Sequence, residues 1–108
     1  MEQKTVNEKI AKEMISFLKR RKLWVDSAIY VNGTRIHSDG RVEENIDVTK
    51  YLEFCNPDGV SMIFEGPLNR HINGHISGSN VYKKLDEIAN KYGFYIEQGY
   101  SWSISLYK

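Results

Sequence analysis

A chain of 108 residues that is 41% hydrophobic and 12% aromatic is long enough for one domain with its own core and too short for two. Its charged fraction of 27% is near the globular average, and 15 Lys and Arg against 14 Asp and Glu leave a formal net charge of +1. That balance argues against disorder, against the electrostatic footprint of a nucleic-acid binder and against the acidity of a DNA mimic.

Charge is uneven locally. Residues 1–25 carry seven basic and three acidic side chains, whereas residues 41–65 carry two basic and six acidic ones. Lys19-Arg20-Arg21-Lys22 reads as a solvated helix C-terminus, where cations complement the helix dipole; a patch for phosphate or an acidic partner is the functional alternative. The single cysteine, Cys55, excludes an intramolecular disulfide and a Cys-based zinc cluster and suits a reducing compartment. With no apolar run of roughly 18 residues and no signal-peptide pattern, a soluble cytoplasmic protein without a membrane partner is expected.

In chain order, Thr5 and Glu8 have the spacing of a capping box, and Val6, Ile10, Met14, Phe17 and Leu18 recur at helical intervals, predicting a helix over residues 6–21. Residues 28–31 and 34–37 flank Asn32-Gly33, the signature of a type I′ hairpin. Residues 41–46 fit either a third strand or an exposed loop. Asp47 is placed to cap a helical turn carrying Tyr51, Leu52 and Phe54, and residues 56–59 read as a turn. Val60, Met62 and Phe64 alternate with Ser61, Ile63 and Glu65 as a strand. Gly66-Pro67 then opens a short helix that buries Leu68 and Ile72 and ends at Gly74.

Ser79 is the expected N-cap of a helix over residues 80–92, with Val81, Leu85, Ile88, Ala89 and Tyr92 on one face and Gly93 as its stop. Residues 94–97 and 101–107 form a last hairpin. The fold class is α+β: a mostly antiparallel sheet of about five strands, with the N-terminal helix and a second long helix packed on one face.

The strings YLEFCNPDGVSMIFEGPL and KYGFYIEQGYSWSISLYK resemble a family of small uncharacterised proteins of Firmicutes, their phages and other mobile elements. The resemblance spans residues 30–108 through an S-M-x-F-E-G-P-L core and a K-Y-G-x-Y-x-E-x-G-x-x-W end. Asn69 stands where the family pattern carries a tyrosine after Gly-Pro-Leu. The resemblance implies a setting, that of small accessory proteins that counter host defences, and no reaction.

Catalytic patterns are sparse. Glu43 and Glu44 are adjacent and would face opposite sides of a strand, while Glu65 and Glu97 could meet on one sheet as an acid/base pair. His71 and His75 are four apart, but Gly74 interrupts the helix that would align them as metal ligands, and His37 reads as an ordinary surface histidine. Cys55 lies among the acids Glu53 and Asp58, which raise a thiol pKa. The stretch 74–79 lacks the ending of a phosphate loop. No catalytic residue, metal or cofactor is therefore expected.

A binding surface remains. Tyr51, Tyr95, Tyr100 and Trp102 fall in turns, at strand ends or on alternating faces, with Asn56, Asn69, Arg70, His71, Asn73 and Gln98 near them in sequence. Aromatic faces stack a planar base, arginine offers a fork to phosphate, and amides read an edge by hydrogen bonds. This set predicts a non-catalytic protein that sequesters a nucleotide-like small molecule, such as a host immune signal. A pocket of that kind in so short a chain calls for a homo-oligomer. The alternative is an inhibitor or adaptor that docks a host protein through an aromatic patch or sheet edge.

Overall fold

Asn32 and Gly33 set the first hairpin. Their φ angles of 51° and 74° give the predicted type I′ turn, which joins β1 (Ser27–Val31) to β2 (Thr34–His37) with Val31 opposite Thr34 and Ala28 opposite His37. The computed structural model describes residues 2–53, 55–74 and 76–108, so the expectations for Phe54 and for the His71–His75 pair lie outside the described residues. Past the turn at Gly40, β3 (Val42–Glu43) pairs with β2, which resolves residues 41–46 as a two-residue strand running into a loop.

Asp47 caps the 3₁₀ turn Val48–Lys50 by accepting from Thr49 N at 3.0 Å, and the turn stops before Tyr51. β4 (Val60–Phe64), β5 (Tyr95–Gln98) and β6 (Ser103–Tyr107) complete a six-stranded sheet in the order β3-β2-β1-β4-β6-β5, antiparallel at every pairing. The count exceeds the expected five because β3, too short and polar to announce itself, pairs at the edge.

α1 (Gln3–Arg20) and α3 (Val81–Lys91) pack together on one face of the sheet, with α2 (Pro67–Ile72) against β4 and α3. α1 begins three residues before the predicted start, with Glu2 at the N-cap, so Thr5 sits inside the first turn and the capping box does not form. Similarly, Asn80 holds the N-cap position of α3 that was expected of Ser79, whose Oγ accepts from Val81 N at 3.4 Å from one residue before the cap. Ile10, Met14 and Leu18 of α1 and Val81, Leu85 and Ala89 of α3 bury themselves against Ile29, Met62, Phe64, Ile104 and Leu106 of the sheet.

The opposite face is covered differently. Residues 44–53 and 55–58 cross it as an irregular strap: Ile46 N donates to Gly33 O, Tyr51 lies 6.0 Å from the Tyr30 ring, and Asn56 Nδ2 donates to Leu106 O. Tyr30 and Leu52 are buried there, outside the helix-side cluster. Ser61 and Ser105, opposite each other on β4 and β6, share a buried hydrogen bond of 2.8 Å, and their small volume leaves room for the strap. Leu52 is only 1% exposed, so Leu52→Ala should lower stability by about 2–5 kcal/mol, read from urea unfolding; a loss under about 1 kcal/mol would show that the strap does not close the fold.

Candidate functional site

The strap leaves one corner of this face uncovered, and strand register decides what stands there. Arg35 is opposite Tyr30 on one side and Glu43 on the other, while His37 is opposite Ala28. Residues two apart on a strand share a face, so Arg35 and His37 project together beside Glu43. Glu43 Oε1 lies 3.0 Å from His37 Nε2, and Oε2 lies 3.7 Å from Arg35 Nη1. The Arg35 guanidinium carbon sits 5.5 Å from the Tyr30 ring centroid and 4.9 Å from that of Tyr51, in cation–π range of both. Burial pushes the Tyr30 hydroxyl above its ordinary pKa, and the opposing pull of Arg35 is the smaller effect.

Arg35 retains donor capacity. Its Nε is buried and has no hydrogen-bond partner among the described residues, and the contact with Glu43 is longer than a hydrogen bond. Nε2 of His37 is engaged by Glu43.

Of these side chains, Arg35 and His37 line a cleft of about 400 Å³. Ala28 and Ile63, partners across β1 and β4, lie along it, with Ser38, Asp39 and Arg41 from the loop after β2 on another side. Asp39 receives Arg41 Nε at 2.9 Å and its backbone N–H at 3.0 Å; these bonds, the backbone one foremost, hold the Asp39 carboxyl below its usual pKa. Asp26 and Glu65 line the remaining part. Asp26 adopts a left-handed φ of 49°, and its carbonyl accepts from Glu65 N at 3.0 Å. Gly66 permits this approach, because a Cβ there would stand 2.5 Å from Val25 O.

Of the residues singled out in the sequence, Tyr51 alone reaches the Arg35 cluster. Asn56 closes its own turn, accepting from Asp58 N and donating to Leu106 O. Asn69 donates to Ser101 O at 3.2 Å, Asn73 donates to the same carbonyl at 2.6 Å, and Gln98 donates to Asn73 Oδ1, so these amides pin α2 to the β5–β6 hairpin. His71 Nδ1 is 2.8 Å from Ser79 Oγ, and Arg70 is exposed on α2.

Tyr100 and Trp102 stack at 4.6 Å, and the Tyr100 hydroxyl donates to Glu53, tying the hairpin loop to the strap. Tyr95 is half exposed on the edge strand β5 beside Tyr107. The predicted set is therefore spread over several places, most of them structural joints. Glu97 is level with Ser105 and Ser61, four residues along β4 from Glu65 and two strands away, so the envisaged carboxylate pair does not form.

Arg35 and Tyr30 were not singled out in the sequence; Glu43 reads there as half of an adjacent pair and His37 as a surface histidine, whereas His37 is buried with its ring against Glu43. The Asn-Gly turn does fix Arg35 opposite Tyr30, a signal that was available; Glu43 and Tyr51 arrive through a two-residue strand and an irregular strap, which carry none.

No protein-family model matches this chain, and neither the curated proteins nor the solved structures yield a match. Among the described residues no helix is long and apolar enough to cross a membrane.

Burial, with the Asp47 charge second, pushes the Cys55 thiol above its ordinary pKa; the acid responsible is Asp47 and not Glu53 or Asp58. Because only the thiolate reacts, Cys55 should alkylate more slowly with iodoacetamide at pH 7.5 than a free cysteine does, and the lag should shrink as pH rises toward the thiol's pKa. Labelling at the rate of free cysteine would contradict this environment.

Proposed function

We propose that this chain is a non-catalytic binding protein that captures a nucleotide-type small ligand in the cleft beside Arg35. The observation that carries the reading is the Arg35 guanidinium, ordered over two tyrosine rings and not fully used by Glu43, on the wall of a cleft of about 400 Å³. That size falls within the range of small-molecule sites, roughly 300–1,000 Å³. Arg35 supplies a planar fork to a phosphate and His37 a further polar contact, while the Tyr30 and Tyr51 rings behind Arg35 hold the guanidinium in place. Sequestration as the mode of action, in a phage or mobile-element accessory protein, draws its support from the motif resemblance. Assembly as a homo-oligomer belongs to the same proposal and is checked by light scattering across concentration.

Arg35→Ala should weaken binding of a nucleoside monophosphate in titration calorimetry by about 10- to 100-fold, the worth of a charge-assisted bond to phosphate, with an unchanged circular dichroism spectrum. Undiminished affinity in a folded Arg35→Ala variant would remove the reading. The open edge of β5, where Tyr95 is half exposed, favours a second reading, docking of a host protein along the sheet edge. That reading expects one stoichiometric partner from host lysate, lost on Tyr95→Lys and retained on Arg35→Ala; the opposite pattern, or an empty pull-down, would sink it.

A further inference from the structure

Charge is separated along the cleft. Arg35 and His37 stand toward one end, at the level of Tyr30 and Ala28 on β1, and the carboxylates of Asp26 and Glu65 stand at the other. Three residue steps along β1 separate Ser27, next to Asp26, from Tyr30, about 10 Å of extended strand. Arg41 is already engaged by Asp39, whereas neither Asp26 nor Glu65 has a side-chain hydrogen bond or ion pair among the described residues.

Two unpaired carboxylates lining one cleft repel each other and repel any acceptor brought between them. The backbone that carries them is fixed: Glu65 N donates to Asp26 O, Asp26 keeps a left-handed φ, and Gly66 admits the close approach of Val25. Ionised carboxylates are acceptors only, so the ligand group that suits them carries N–H donors.

We propose that the cleft selects a dipolar ligand, with its anionic group at Arg35 and an N–H-rich edge at Asp26 and Glu65, and hence a guanine nucleotide over a uracil nucleotide. The guanine edge offers an amino group and a ring N–H side by side, which match the two oxygens of a carboxylate, whereas the uracil N–H is flanked by two carbonyls that a carboxylate repels. The span between the two ends suits a ligand the length of a mononucleotide and exceeds an isolated phosphate. The inference rests on the nucleotide-binding reading and specifies which nucleotide that site takes.

The test is calorimetric titration of the full chain with guanosine 5′-monophosphate, uridine 5′-monophosphate and inorganic phosphate, repeated on Asp26→Asn, Glu65→Gln and Arg35→Ala. The wild type should bind the guanine nucleotide at least about tenfold more tightly than the uracil one, as a bidentate edge contact implies. Inorganic phosphate should bind more weakly than either. Glu65→Gln or Asp26→Asn should shrink that preference by weakening the guanine nucleotide alone, while Arg35→Ala should weaken both nucleotides together. Equal binding of the two nucleotides that still depends on Arg35, or a preference that survives both carboxylate variants, overturns the dipolar assignment and leaves the binding site standing. Binding of neither nucleotide overturns both.

Discussion

Burial of the central strand β1 on both faces is the constraint from which the rest of the structure follows. All five of its residues are buried, although only one face meets helices. α1 covers Ile29 and Val31 in the manner of an α+β domain, and Tyr30, on the opposite face, needs a cover of its own. The strap supplies it with Leu52 and Tyr51, and a loop takes this role only because its backbone groups find partners at its ends, Ile46 N on Gly33 O and Leu52 N on Val48 O. Asn7 belongs to the same closure. It is a buried polar residue on α1, and it donates to Asn32 Oδ1 at 3.2 Å and Asp58 O at 3.1 Å, joining the helix to the hairpin turn and to the end of the strap.

Where the strap ends, the cleft begins, and this division explains the chemistry of the exposed corner. Tyr51 does double duty, screening Tyr30 with one part of its ring and seating Arg35 with another. A guanidinium held against aromatic faces loses side-chain freedom before any ligand arrives, so less remains to be lost on binding. Gly66 plays the corresponding part at the other end, where a side chain would hold β4 away from Val25 and separate Glu65 from Asp26.

Much of the fold was legible because its signals are local. Asn32-Gly33 sets a register, Val60, Met62 and Phe64 alternate, and the apolar faces of α1 and α3 recur at helical spacing, each depending on neighbours in sequence. Helix starts were less legible: α1 runs back past Thr5 to Gln3, since hydrogen bonds and packing, not the capping pattern, decide where it begins. The site was the least legible part. Asn69, Asn73 and Gln98 look like ligand-reading amides in sequence, yet they satisfy backbone carbonyls and one another, because buried or half-buried carbonyls in a short domain must find donors somewhere. Glu43, by contrast, is an unremarkable acid in sequence that acquires meaning only when β3 pairs with β2.

Glu43 also links the cleft to the stability of the sheet edge. Its carboxylate is shared between His37 and Arg35, and β3, the strand it belongs to, is only two residues long. An anion that engages Arg35 competes with Glu43 for the same guanidinium, and the edge strand then leans more on its bond to His37. Because the Arg35 contact is long and the His37 contact short, the competition displaces the weaker of the two and leaves β3 in place. The proposed capture of an anion beside Arg35 is therefore compatible with an intact sheet edge.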